Sequence, residues 1–234
     1  MSTRYGQFCP VAKASEVLGE RWTILIIREL LSGATRYRDL QRGLASMSPT
    51  LLTKRLNQLA ECGLVERRAS AGQAHAEYHL TAAGRELQPV VDGLGKWGMR
   101  WARGEMRDED LDVQALMLDV CRRLDGAALP ARPAVIAFSF PRLPKFNRWW
   151  VVCDPGRPAE LCDDPPGRTP HLQVQADLRT MTEIWTGDTP LATAVRDGRV
   201  RLEGEPTFIR TIATWLPLGR LAHIKRAAVQ LRHR

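Results

Sequence analysis

The sequence predicts a mainly α-helical N-terminal domain carrying one short hairpin, followed by an α+β domain. Three observations carry this. Over residues 10–101, apolar residues recur at helical spacing in segment after segment, interrupted by only two short extended runs. Around residues 103–112 the composition turns charged (RGEMRDEDLD), as at a domain boundary. Beyond it, extended runs separated by Pro/Gly turns come before most of the amphipathic helices, a pattern of segregated strands and helices. The expected domains are 1–104 and 105–234, the second ending in a basic tail.

In the first domain, Pro10 opens a helix that Gly19 closes. A second helix over 20–31 puts Trp22, Leu25, Ile26, Glu29 and Leu30 on one face and stops at Ser32-Gly33. A short third follows over 35–40. Ser48 as N-cap and Pro49 at the first helical position start a fourth, with Leu52, Leu56 and Leu59 on one face and Gly63 past its end. Residues 64–68 and 77–80 read as strands joined by a tip of small residues over 69–76. Thr81 caps one long final helix with an apolar stripe of Leu87, Val90, Val91, Leu94, Trp97 and Trp101. In the second domain a helix over 111–124 precedes strands at 134–140, 148–153, 159–162 and 171–176. Helices at 178–185 and 190–196, a strand at 199–203 and a helix at 206–216 complete it.

Composition sets bounds on function. The chain has 234 residues, 44% apolar and 26% charged, within the globular range. No apolar run approaches the ~20 residues of a membrane span, and MSTRYGQFCP lacks the apolar stretch of a secretory signal. Five cysteines without a CxxC make neither a disulfide framework nor a zinc site. Cys62 and Cys121 read as core, while Cys153 and Cys162 end neighbouring strands that could approach each other. The expectation is a reduced cytoplasmic protein. The net charge of +8 is unevenly spread: residues 1–104 carry +6, residues 105–219 carry −3 and residues 220–234 carry +5. A basic first domain points to nucleic acid. No Gly-rich phosphate loop, zinc-ligand spacing or Gly-x-Ser-x-Gly is present, and the five histidines are scattered. No catalytic residues, metal or cofactor are therefore expected, and the chain reads as a binding protein rather than an enzyme.

Three helices, a capped helix, a hairpin and a helix form the order of a winged helix-turn-helix. Opposite the leucine face of the capped helix lie Thr50, Lys54 and Asn57, flanked by Thr53 and Gln58, with Ser48 at its start. Amide side chains suit adenine, lysine suits guanine acceptors and a Thr methyl meets thymine. Arg36, Arg38, Arg67 and Arg68 are placed for phosphates. From pattern alone, an ordinary amphipathic helix with a polar outside explains the same residues equally well.

The residues go further. Cys9-Pro10, Gly19-x-x-Trp22-Thr23, Ser48-Pro49 with Leu52-x-x-x-Leu56, Gly63-Leu64-Val65-Glu66-Arg67 and Tyr78-x-Leu80-Thr81 resemble the HxlR family of bacterial winged-helix transcription regulators, from Cys9 to about Trp101. The resemblance implies double-stranded operator DNA as partner, a homodimer formed through the stripe from Leu87 to Trp101, and by analogy steric repression. Family wings carry a basic residue and prolines near the tip. Here the tip is small and polar, leaving Gln73 and His75 as weaker substitutes. At the position of Cys9, beside a helix N-terminus, some such regulators sense oxidants or electrophiles; a half-buried packing residue is the alternative. Residues 134–216 resemble the sterol-carrier-protein fold through Asp177, Gly187, Asp188, Asp197, Gly198 and Gly204. That fold implies a tunnel for a small hydrophobic effector, lined here by Phe138, Phe140, Trp149, Trp150, Trp185, Phe208 and Trp215. An ordinary packed core is the alternative for these rings, and a lipid-binding protein is the alternative for the whole chain.

Overall fold

The computed structural model describes residues 4–69, 76–104 and 106–227. Gln73 and His75 lie outside the described residues. The chain divides into two compact units, Met1–Gly95 and Lys96–Arg234.

The first unit contains helices α1 (Pro10–Leu18), α2 (Thr23–Leu31), α3 (Tyr37–Gly43) and α4 (Pro49–Glu61), then the antiparallel hairpin β1 (Val65–Ala69) and β2 (Ala76–Leu80). Its core is aliphatic, with Ile26, Ile27, Leu40, Leu52 and Leu56 fully buried. Two helices start later than the sequence suggests. Trp22 adopts a left-handed conformation at φ 80°, so α2 begins at Thr23 rather than residue 20. Arg36 is extended and bridges Glu77, while the Thr35 carbonyl accepts from the Tyr78 amide at 2.7 Å. The segment before α3 is thus held extended by an isolated bridge to β2, which delays that helix to Tyr37.

The long final helix is broken. Thr81 caps α5 (Ala82–Arg85), accepting from the Gly84 amide at 3.2 Å, and the helix resumes as α6 (Gln88–Trp97), followed by a π-helical turn at Gly98–Ala102. Pro89 is the cause: it has no N–H for the Arg85 carbonyl, and its ring would collide there, so it sits in the first turn of a new helix. Gly84 lets α5 dock tightly, because a Cβ there would lie 2.2 Å from the Leu64 carbonyl oxygen.

The second unit is built on a mixed five-stranded sheet of β3 (Ala134–Ser139), β4 (Arg148–Cys153), β5 (Glu160–Cys162), β6 (Leu172–Ala176) and β7 (Val200–Gly204), in the order β5-β4-β3-β6-β7. The central pair β3 and β6 is parallel and the other neighbours are antiparallel. Helices α7 (Val113–Arg123), α8 (Leu178–Trp185), α9 (Leu191–Arg196) and α10 (Pro206–Trp215) contribute to one core with the sheet residues Ile136, Phe138, Trp149, Val151, Leu172 and Val174. Asp112 and Asp177 cap α7 and α8. The other sheet face holds a small cluster of Val135, Trp150 and Val152, with Cys162 against it.

Cys162 is the register partner of Trp150, whereas Cys153 belongs to the core face. Successive side chains alternate faces, so these two cysteines lie on opposite sides of the sheet and do not approach as a pair. Cys121 is buried as expected, and burial pushes its thiol up to about 12. Cys62, by contrast, is exposed at the end of α4, because the helix ends there with its inward face already filled by Leu59.

The described part of the basic tail, residues 220–227, is turn and coil rather than helix. It is tied down: Arg226 pairs with Asp188 at 2.6 Å and donates to the Gly104 carbonyl at 3.1 Å. Arg103 and the Thr186 hydroxyl also bind the Asp188 carboxylate. Burial alone would raise the pKa of Asp188, but these hydrogen bonds hold it below the ordinary value.

Candidate nucleic-acid interface

Helix α4 presents two unlike faces. Leu52, Leu56 and Leu59 are buried, while Thr50, Thr53, Lys54 and Asn57 are exposed. Thr50, Thr53, Lys54, Asn57, Gln58 and Glu61 line one shallow groove along its outer side. The structure therefore brings five residues expected to read bases into one strip. The start of the helix is set by the sixth expected residue, Ser48, whose hydroxyl accepts from the Leu51 amide at 3.3 Å, with Pro49 behind it.

Within the strip the residues are not equivalent. The Thr53 hydroxyl turns back to the Pro49 carbonyl at 3.1 Å. The Gln58 carbonyl oxygen accepts from Arg55 at 2.7 Å, and Arg55 also pairs with Glu20 at 2.6 Å. Gln58 is thereby oriented with its amide NH2 group as the remaining donor. Lys54 and Asn57 make no hydrogen bond or ion pair among the described residues, so their polar ends are the unspent ones.

The expected phosphate contacts divide in the same way. Arg38 and Arg67 are exposed and unpaired among the described residues. Arg36 is 3.9 Å from Glu77, and Arg68 pairs with Glu66 on its own strand.

Sequence reasoning missed three contributors. Tyr37 donates its hydroxyl to the Pro49 carbonyl at 2.8 Å, locking α3 to the first turn of α4. Glu29 is buried, accepts from Arg28 at 2.7 Å and packs so closely on Gly43 that a Cβ there would lie 2.1 Å from its carboxylate. Tyr37 thus fixes α3 against α4 and Glu29 fixes α2 against α3, which together set the pose of α4. Glu61 closes the strip with a carboxylate, which disfavours phosphate there and can accept from a cytosine amine. The Glu29 signal, an acid on an otherwise apolar face, was visible in the sequence; the Tyr37 contact was not.

These features are those of a helix-turn-helix, and the comparisons agree. The HxlR-like helix-turn-helix family model matches residues 17–106. An uncharacterized HTH-type transcriptional regulator of Synechocystis is 38% identical over 101 residues, covering 43% of this chain and 75% of that protein. The chain belongs to the HxlR family. An uncharacterized HTH-type transcriptional regulator of Bacillus subtilis, YvaP, is 33% identical over 41% of this chain and 90% of its own length. One of Mycobacterium tuberculosis is 44% identical over 38% of this chain and 56% of its own length. Among solved structures, the reduced form of the transcriptional regulator YodB from Bacillus subtilis is 27% identical, covering 43% of this chain and 100% of that one, at a TM-score of 0.37. This HxlR-family chain is thus a transcriptional regulator with a DNA-binding helix-turn-helix. The family match ends at residue 106, and most of the second unit lies beyond it.

The remaining candidates are placed as follows. Of the apolar stripe, Leu87 and Val91 pack against the first core, while Val90, Leu94, Trp97 and Trp101 are exposed. Val90, Leu94 and Trp97 lie at i, i+4 and i+7 on one face of α6. In the N-terminal segment Tyr5, Phe8 and Val11 are also exposed, Phe8 at 98%. Cys9 is a half-buried N-cap of α1 with no side-chain capping bond. Six of the seven aromatic residues are buried in one cluster of the second unit: Phe138, Phe140, Trp149, Trp185, Phe208 and Trp215. Trp150 is on the opposite sheet face. Among the described residues no group of His, Cys, Asp and Glu could hold a metal ion, and no helix is long and apolar enough to cross a membrane.

Proposed function

We propose that this HxlR-family regulator is a cytoplasmic homodimer that represses transcription by occupying a pseudo-palindromic operator. Helix α4 reads base edges with Lys54, Asn57, Thr50 and Gln58. Arg38 and Arg67 grip phosphates. The observation that carries the reading is the exposed strip on α4 with Lys54 and Asn57 unspent. A helix used only for packing would also show a polar outer face, and membership of a helix-turn-helix regulator family favours the DNA-reading use of this one.

Dimerisation is supported by Val90, Leu94, Trp97 and Trp101. Monomeric proteins rarely leave such large apolar side chains in one exposed row, and two-fold symmetry is the commonest way to cover it. The second unit is read as a sterol-carrier-like domain that reports an effector to the first. Supporting the reading, Asp177 caps a helix, and Gly187, Gly198 and Gly204 take positive φ values suited to turns. The burial of its aromatic residues supports a packed core over a hollow one.

The test is fluorescence anisotropy with a labelled fragment of the promoter nearest this gene, set against a shuffled fragment, across a salt series. The expected result is a preference of about 10³-fold or more for the promoter, with affinity falling steeply as salt rises. Weak, equal binding to both fragments overturns the reading.

A further inference from the structure

The second unit gathers arginines at one end of its sheet, although the stretch 105–219 that builds it is net acidic. The central strands β3 and β6 are parallel and both run toward that end. From β3 the chain turns to β4 and β5 on one side; from β6 it passes through α8 and α9 to β7 on the other. Parallel neighbours whose continuations part in opposite directions leave a crevice beyond their carboxyl ends, where open α/β sheets take their ligands. That crevice exists here as a cleft of about 400 Å³. Arg142 lines it just after β3, Gln175 and Asp177 at the end of β6, and Arg199 and Arg201 at the start of β7.

Four charged residues line this space, three arginines and one aspartate. The carboxylate is engaged with its own helix: Asp177 accepts from the Thr180 amide and hydroxyl, each at 2.8 Å. Arg199 pairs with Glu183 at 3.3 Å. Arg142 and Arg201 are exposed and have no hydrogen bond or ion pair among the described residues. Arg201 is also the direct cross-strand partner of Gln175, so a guanidinium and a neutral amide stand side by side at the rim. Guanidinium groups sharing one cleft repel each other until an anion lies between them, and their planar forks match carboxylate and phosphate oxygens. The volume suits a molecule of modest size.

We infer that this cleft binds a small organic anion, through a carboxylate or phosphate group held by Arg142 and Arg201 with Gln175 as a neutral donor. As the effector site of the second unit it takes a charged ligand in place of a hydrophobic one. It uses polar residues at the sheet end and none of the buried rings.

The experiment is isothermal titration of the full-length protein, without DNA, by inorganic phosphate and in parallel by succinate. A saturable isotherm with either probe is expected, and the better probe identifies phosphate or carboxylate as the group recognised. Arg142→Gln and Arg201→Gln should each weaken it about tenfold or more, the effect of removing a charge-assisted hydrogen bond, with melting temperatures unchanged. Arg210→Gln, on the exposed side of α10, should leave it as in the parent. No saturable binding of either probe up to about 10 mM, or equal affinity in Arg142→Gln and Arg201→Gln, overturns the inference. Loss of promoter binding in those variants at unchanged anion affinity assigns the arginines to the DNA backbone and overturns it too. Because the titration contains no DNA, its failure is distinct from a failure of the operator reading.

Discussion

The two units close their cores by different means. The first packs Ile, Leu, Val, Ala and Met with no aromatic ring among its fully enclosed residues, and leaves Tyr5, Phe8, Val11, Val90 and Leu94 exposed. The second encloses three Phe and three Trp in a single cluster and clamps its C-terminal segment through Arg226 and Asp188, while Trp97 and Trp101 at its start, Phe146 and Leu218 stay exposed. A unit that keeps apolar side chains outside is built to be completed by another surface. One that sinks six rings into a single cluster and pairs Arg226 with Asp188 draws more of its stability from its own interior. Substitutions in the second should therefore cost stability, and substitutions at the surface of the first should cost association and recognition.

The sharpest break of this comparison is Phe208→Ala. Phe208 is fully buried, 5.2 Å from the His171 ring and 6.2 Å from the Trp215 ring between centroids. Loss of the ring should cost about 3–5 kcal/mol. In a calorimetric scan the transition of the second unit should fall while that of the first stays in place; an equal fall in both would mean that the units do not melt separately. The double substitution Leu94→Asp with Trp97→Asp probes the exposed row of α6, which spans the boundary between the units. It should convert the proposed dimer to a monomer in sedimentation velocity, with far-UV circular dichroism unchanged, since both residues are about half exposed.

Recognition effects come next. Asn57→Ala should weaken the preferred operator by about 1–3 kcal/mol and relax the choice of base at one position of each half-site. Arg67→Gln should instead weaken all sequences alike and lower the salt slope by about one. Competition anisotropy over a set of single-base operator changes separates the two patterns.

The smallest effect is the pH dependence of the clamp. The pKa of Asp188 is lowered in the folded chain, so its contribution is fully present at neutral pH. It is lost as pH falls through that lowered value, below the ordinary aspartate range. Urea unfolding of the second unit, followed from about pH 7 down to about pH 3, should show Asp188→Asn starting less stable and losing less on acidification than the parent.

Most of the helices, the hairpin and the leucine face of α4 were legible because each rests on local signals: a cap, a proline, a glycine or a repeat of apolar residues. Ser48-Pro49 before Leu52, Leu56 and Leu59 defined α4 within a residue at either end. The errors arose where a distant partner outbid local preference. Arg36 left its helix to bridge Glu77, residues away in sequence but adjacent in space. Trp22 took a left-handed conformation that no propensity favours. Pro89 was a local signal overlooked under a continuous apolar stripe.

The sequence by itself determined the DNA-reading class and which side of α4 faces inward, because periodicity and capping act within a few residues. Only the tertiary structure decided which polar residues of that side remain unspent, that Cys153 and Cys162 are separated by the sheet, and that Arg142, Gln175 and Arg201 meet at one cleft. Those facts depend on register and strand order. A one-residue shift in pairing moves a side chain to the other face, and strand order across a sheet is set by contacts between segments far apart in the chain.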